Sequence, residues 1–394
     1  MTHMRLFVAI ASLAAVSTGQ QQGLKVVNTG TAATTSSYVR VADSPSLEPS
    51  QFTFEMEIQP LGVGTGNTTD LGGAVLLAKP AEGSGGTYIF SWVMTYLPST
   101  GQVRMSLTHT YNAQGVSVWS NGTIALGSTA HIATSFDGQS LKLFINGQLD
   151  NSVPFGFSGL YYGPEDVLIG AGNFCCGYLR RFDGIIDEVR IWDTALDQAT
   201  IASRASCKLQ GSEPGLLGYW DFDCGSLQDR SGHGHDGQLV GTAGSFVDSV
   251  TVDTPCGCTG TQSYCVTSQN SVGPGALISF CGSTRSADGT LSLGVSRCPT
   301  GVVGLFFFGS TQVQVPFGSG VRCAGGNIIR LSPTVLTTQE GTSSIPFDLQ
   351  NPPAAFGVLA PGASLNFQFW YRDPPGPSSH GTNFSNGLQL TVCP

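Results

Sequence analysis

The sequence predicts an all-β protein built from antiparallel sandwiches. Three observations carry this. Apolar and polar residues alternate over many short runs, Gly and Pro are plentiful (53 and 21 of 394 residues), and only 11% of residues are charged. Globular domains usually reach about 25% charged. Alternation with period two buries one face of a strand, and glycine and proline supply the tight turns between short strands. At 40% hydrophobic, the chain is too apolar to be disordered. A net charge of −9 argues against nucleic acid or an anionic membrane as partner. A neutral ligand or a divalent cation suits it better.

The first residues, MTHMRLFVAIASLAAVSTGQ, read as a secretory signal over 1–19. Arg5 supplies the positive start, Leu6 to Val16 the apolar run, and Ser17 and Gly19 a small-residue cleavage site. The run is too short for a lasting membrane anchor. No later segment is long and apolar enough to be a membrane helix. The expected location is therefore secreted, outside the cell or at its surface.

The strand at FTFEMEI should place Phe52, Phe54, Met56 and Ile58 on one face and Thr53, Glu55 and Glu57 on the other. HIATSFDGQSLKLFINGQLD (131–150) carries the turn signals Asp137-Gly138 and Asn146-Gly147 between apolar runs, which predicts a three-strand meander. VLIGAG (167–172) and FDGIIDEVRIW (182–192) read as further strands, with Asp187 and Glu188 pointing to opposite faces. ALDQATIASRA (195–205) is the one good helical candidate. A Thr-, Gly- and Cys-rich break at 249–264 separates a first domain, 20–248, from a second, 265–394. There alternation resumes in ALISF, TLSLGV, VGLFFFG, TQVQVPFG, SLNFQFWYRD and LQLTVC.

All 11 cysteines follow the signal, which favours disulfides. Cys207 and Cys224 bracket a short excursion and are candidates to pair, Cys323 and Cys393 are candidates to tie the chain end down, and Cys281 and Cys298 flank one apparent hairpin, with Cys265 as a competitor. Connectivity does not follow from spacing, and an odd count leaves one thiol over. Cys175, Cys176, Cys256 and Cys258 have no obvious partners. Cys256-Gly-Cys258 lacks the form of a zinc half-site.

The first domain resembles the laminin-G-like, concanavalin A-like jelly roll. YVRVADSPSLEPSQFTFEMEIQP is similar to an early strand pair of that family. HIATSFDGQSLKLFINGQL is similar to its central hairpins, and FDGIIDEVRIWDTAL to a late strand and short helix. LQGSEPGLLGYWDFD with DRSGHGHDGQLVG resembles the element after that helix. The resemblance spans roughly 22–248 and implies a two-sheet sandwich of about a dozen antiparallel strands. Such domains are mostly secreted binding or adhesion modules, often for glycans, and often hold a structural Ca²⁺. The tail, through GLFFFGSTQVQVPFGSGVRCAGG, FQFWYRDP and FSNGLQLTVCP, resembles a cysteine-tied C-terminal module of secreted proteins of planctomycetes. It is expected to form a second, smaller disulfide-bonded β-sandwich.

The stretch YWDFDCGSLQDRSGHGHDGQLVG (219–241) is the candidate metal loop. Glycines let backbone carbonyls turn inward, and Ca²⁺ takes six to eight oxygens. The expected ligands are Asp223, Asp229, His235 and Asp236, with Asp187 or Glu188 from a neighbouring strand. Related loops read SGNGNDG, so His233 and His235 stand where asparagines would. The bland alternative is a solvated turn whose aspartates bond backbone amides. A zinc or copper site at His233, His235 and Asp236 would need further ligands.

Catalysis is disfavoured. Laminarinase-like jelly rolls carry Glu-x-Asp-x-x-Glu on one strand, and here no third acid follows Glu55 and Glu57. No G-x-S-x-G motif is present either. Trp192 and Trp220 read as core or sheet-edge aromatics. Tyr161, Tyr162, Phe174 and Tyr178, beside Cys175–Cys176, mark the loops first expected to touch a ligand. The sequence thus points to a non-enzymatic module recognising an extracellular glycan or cell-surface polymer. A cell-surface assembly protein, or less readily a polysaccharide-degrading enzyme, is the rival.

Overall fold

A computed structural model describes residues 22–26, 37–63, 73–82, 88–111, 114–174, 178–241, 245–248, 262–353, 359–377 and 380–393. The expected signal at 1–19, most of the expected linker, and Cys175, Cys176, Cys256 and Cys258 lie outside them.

The chain is all-β, with one short α-helix (Gln198–Arg204) among many antiparallel strands. Up to Asp248 the strands form two large sheets and a hairpin. The first sheet runs in the order Gln148–Pro154, Ser140–Ile145, Ala130–Phe136, Phe52–Pro60, Gly184–Trp192, Gln22–Val26, Ser245–Asp248. Leu216–Trp220 also pairs with Gly184–Trp192. The second sheet runs Gly237–Val240, Tyr38–Val41, Val167–Ile169, Ala74–Glu82, Tyr88–Leu97, Gln102–Thr108, Gly115–Trp119. Their inner faces share one core, and the result is a concanavalin A-like jelly roll.

Alternation places that core. Phe52, Phe54, Met56 and Ile58 are all buried in it. Phe54 lies 4.5 Å from the Trp92 ring across the sandwich and stacks on Phe52 at 4.1 Å. The two predicted turns give the expected three-strand meander. The helix is capped by Asp197, whose side chain accepts from the Thr200 backbone N–H. Ile201 packs it onto Ala133 and Phe144, on the outer face of the first sheet. Gly147, in the Asn146-Gly147 turn, sits at φ 74°, and a Cβ there would come within 2.7 Å of Ala202. Only glycine allows the hairpin to pass so close beneath the helix.

One strand departs from simple alternation. Its register shifts between Asp187 and Arg190, and Glu188 adopts φ 53°. The bulge keeps Val189 and Ile191 in the core. It also turns Glu188 toward Arg190 and Tyr219, so Glu188 does not point away from Asp187 as strict alternation required.

From Gln262 onward the strands build separate sheets. One contains Gln262–Tyr264, Gly387–Thr391, Ser364–Arg372, Val303–Gly309 and Ile329–Arg330; a second has Leu277–Cys281, Ser292–Ser296 and Ser343–Pro346. Phe306, Phe308, Phe367 and Phe369 from the first pack with Ile278, Leu293 and Ile345 from the second. Thr311–Phe317 and Gly320–Gly325 form a hairpin.

The disulfides correct the expected pairing. Cys224 joins Cys281 and Cys265 joins Cys323. Cys207 and Cys393 are also disulfide-bonded, though not to Cys224 and Cys323. Among the described residues Cys298 is the free thiol, buried in the second core, not the partner of Cys281. Nearness in sequence misled because Cys224 sits at the end of the jelly roll that faces the second module. A disulfide there ties the two modules together.

Candidate functional site

The 219–241 stretch leaves the first sheet at Trp220 and joins the second sheet at Gly237–Val240, crossing one end of the sandwich. Its aspartates hold the crossing together. Asp229 Oδ1 accepts from the backbone N–H groups of Tyr219 (3.0 Å) and Ser231 (2.9 Å), and Oδ2 accepts from that of His235 (3.0 Å). Asp236 Oδ1 accepts from the Asp229 N–H at 2.9 Å. Trp220 Nε1 donates to the His235 carbonyl at 3.0 Å, and His235 Nε2 lies 2.8 Å from Ser46 Oγ. Gly232 and Gly234, at φ 78° and 81°, permit the winding.

Of the expected calcium ligands, Asp229, His235 and Asp236 meet within the loop, while Asp187 and Asp223 have other partners. Asp223 pairs with Lys208, and Asp187 Oδ1 accepts from the Glu188 N–H. No group of three or more His, Cys, Asp or Glu is placed to hold a metal among the described residues. Oxygens already committed to backbone amides do not fit a cation cage that needs six or more.

Beneath the helix lies a buried charged network. Trp192 Nε1 donates to Glu55 Oε1 at 2.7 Å, and His131 Nε2 lies 3.2 Å from Glu55 Oε2. Arg190 donates to Glu188 at 2.6 Å and to the carbonyls of Arg204 and Cys207 at 2.9 and 2.8 Å. Tyr219 Oη donates to Glu188 at 2.9 Å. Glu55 and Arg190 are 0% and 1% exposed, so no substrate reaches them. Burial pushes the Glu55 carboxyl up, but His131, Arg190 and Trp192 together hold it below its usual 4.5. The unfolded chain then binds the proton more readily, so the stabilisation is present above 4.5 and lost as pH falls through the lower folded value. Melting scans at decreasing pH should show this loss, and Glu55→Gln should flatten it while lowering stability at neutral pH.

The expected ligand-contacting loops divide. Tyr162 is an anchor: its hydroxyl donates to the Pro49 carbonyl at 2.7 Å, and burial raises its pKa. Tyr161 packs edge-on to exposed Tyr111, with ring centroids 6.0 Å apart. Phe174 and Tyr178 face each other as a backbone pair in the hairpin Ala171–Phe174/Tyr178–Arg181; their side chains are not among those described. That hairpin lies on the outer face of the second sheet, where Gly172 comes close to Val75 and Phe90.

The rest of that face is what the sequence reading missed. Val103, Met105, Leu107 and Val118 point inward to the core. Arg104 and Ser106 therefore point outward, and register sets them directly against Trp119 and Ser117. Trp119 is 38% exposed. The Arg104 guanidinium lies 5.1 Å over its ring, and Ser106 and Ser117 hydroxyls are 2.7 Å apart. Burial, and then the positive charge of Arg180 on the hairpin, lowers the Arg104 pKa. An exposed indole, a guanidinium and paired hydroxyls thus share one open sheet face. The alternation in QVRMSLT and GVSVW already carried the signal.

Residues 33–202 match the Laminin_G_3 family model, described as the Concanavalin A-like lectin/glucanases superfamily. The matched segment contains the whole Arg104–Trp119 face. Solved structures give looser likenesses. A candidate carbohydrate-binding protein from Bacteroides ovatus aligns at 17% identity over 60% of this chain and 61% of that one, with a TM-score of 0.43. The chain thus spans under two thirds of that relative. The CBM40 of Ruminococcus gnavus IT-sialidase, bound to α2,3 sialyllactose, aligns at 15% identity over 47% and 97% (TM-score 0.37). Domain 4 of the Geobacillus stearothermophilus arabinanase AbnA, bound to arabinotriose, does so at 17% over 47% and 88% (TM-score 0.32). None of the three reaches a TM-score of 0.5, and they say nothing about the ligand of this chain. No curated protein matches the sequence.

Proposed function

We propose that this protein is a non-enzymatic glycan-binding module acting outside the cell, and that it holds its ligand on the outer face of the second sheet. The observation that carries the reading is the Arg104–Trp119 pair. A sugar ring presents an apolar C–H face and a polar hydroxyl rim. An exposed indole meets the first, and a guanidinium and serine hydroxyls meet the second. Sheet-borne side chains need little ordering on binding, which favours recognition by a rigid surface. The match of 33–202 to a lectin/glucanase superfamily supports a carbohydrate ligand. Disulfides support an oxidising location, and among the described residues no helix is long and apolar enough to cross a membrane. The non-enzymatic reading is supported by the acids nearest the expected glucanase pattern: Glu55 and Glu57 are buried beneath the helix side of the other sheet.

The test is binding of the purified chain to insoluble and soluble polysaccharides, followed by titration of whichever is retained. Trp119→Ala should weaken that affinity at least tenfold while the fold is kept, with only a small drop in melting temperature from the lost Arg104 contact. Equal affinity of wild type and variant would place the ligand elsewhere. Release of reducing sugar from the retained polysaccharide would replace binding by catalysis.

A further inference from the structure

The disulfide between Cys224 and Cys281 holds two surfaces face to face. Between them is a cleft of about 310 Å³, at the lower end of small-molecule sites. The jelly roll contributes Lys208, Tyr219, Asp221, Asp223 and Arg230, and the second module contributes Phe280, Arg285, Asp288 and Thr290.

Charge in the cleft is arranged in pairs that neutralise one another. Lys208 pairs with Asp223, Arg230 with Asp221 at 3.1 Å, and Arg285 with Asp288 at 3.7 Å. Burial and the neighbouring Asp221 push the Asp223 carboxyl up, against the pull of Lys208. An entering ion would have to separate one of these pairs and leave a charge behind without its partner, which is costly in a half-enclosed site. A neutral molecule with several hydroxyls avoids that cost. A guanidinium carries five N–H donors and a carboxylate about four acceptor positions, so each pair keeps its own contact while bonding a hydroxyl. Phe280 adds apolar surface for the C–H face of a small ring.

We propose that the cleft between the two modules is a second binding site, for a neutral mono- or disaccharide, formed only when both modules are present. It is separate from the Trp119 face and stands or falls without it. A polymer can lie along an open sheet face, whereas a cleft this small admits a chain end or a free small sugar.

The test uses the full chain and a fixed panel: glucose, galactose, mannose, arabinose, xylose and their common disaccharides. Binding is read by saturation-transfer NMR and its affinity by titration. At least one panel member should bind the wild type and bind Trp119→Ala equally well. Asp288→Asn, an isosteric change at an exposed residue, and Arg230→Gln should each lower that affinity at least fivefold, with thermal melts confirming the fold. If no panel member binds, the proposal fails. It also fails if binding is lost in Trp119→Ala and kept in Asp288→Asn, an outcome that leaves the sheet-face reading intact.

Discussion

Arg190→Ala should destabilise the jelly roll by about 3–5 kcal/mol, the cost of removing one partner of a buried ion pair. The guanidinium is enclosed between the first sheet and the segment around the helix. It bonds Glu188 and the carbonyls of Arg204 and Cys207. Burial alone would make it a weaker base, but Glu188 and Glu55 outweigh that and raise its pKa. Without it, Glu188 keeps only the Tyr219 hydroxyl as a hydrogen-bond donor, the Cys207 carbonyl loses the guanidinium, and the Arg204 carbonyl keeps only the Cys207 N–H at 3.4 Å. Chemical denaturation of wild type and variant measures the loss. The double variant Arg190→Met, Glu188→Gln should recover part of it, because no buried charge then lacks its partner. A single variant as stable as wild type would show that the network contributes nothing to the fold.

Asp229→Ala should cost about 3 kcal/mol or more, since three backbone N–H groups lose their acceptor at once and each such loss is worth about 1–3 kcal/mol where water is excluded. It should do so equally with and without a chelator. Adding a chelator to the wild type should leave its melting transition in place. A transition that falls with chelator would restore the cation reading of this loop, and an Asp229→Ala variant as stable as wild type would remove its role as an internal cap. Asp229→Asn should sit between the two, because the amide retains one acceptor oxygen.

Much of the fold was legible in particular residues. Phe52, Phe54, Met56 and Ile58 announced a half-buried strand, and Asp137-Gly138 and Asn146-Gly147 announced the meander, because period and turn chemistry are local. ALDQATIASRA (195–205) reads as the one good helical candidate, and the helix runs Gln198–Arg204 within it. What failed was set by tertiary placement. The Cys224–Cys281 disulfide unites residues far apart in the chain whose nearness depends on how two modules meet. Sequence shows the carboxylates of YWDFDCGSLQDRSGHGHDG but not their hydrogen-bond donors. In the folded chain Asp229 and Asp236 face backbone amides, while Asp221 and Asp223 face Arg230 and Lys208. The Glu188 bulge also escaped, since a single left-handed non-glycine residue breaks alternation without a compositional mark. The Trp119 face is readable from its two alternating strands, QVRMSLT and GVSVW, which set Arg104 and Ser106 against Trp119 and Ser117.

The most direct measurement is a structure of the chain bound to the polysaccharide fragment it retains. A sugar ring stacked on Trp119, with hydroxyls within hydrogen-bond distance of Arg104 and Ser117, is the result expected. A ring seated at the Tyr161–Tyr111 loops instead, with Trp119 facing only solvent, would contradict the sheet-face account.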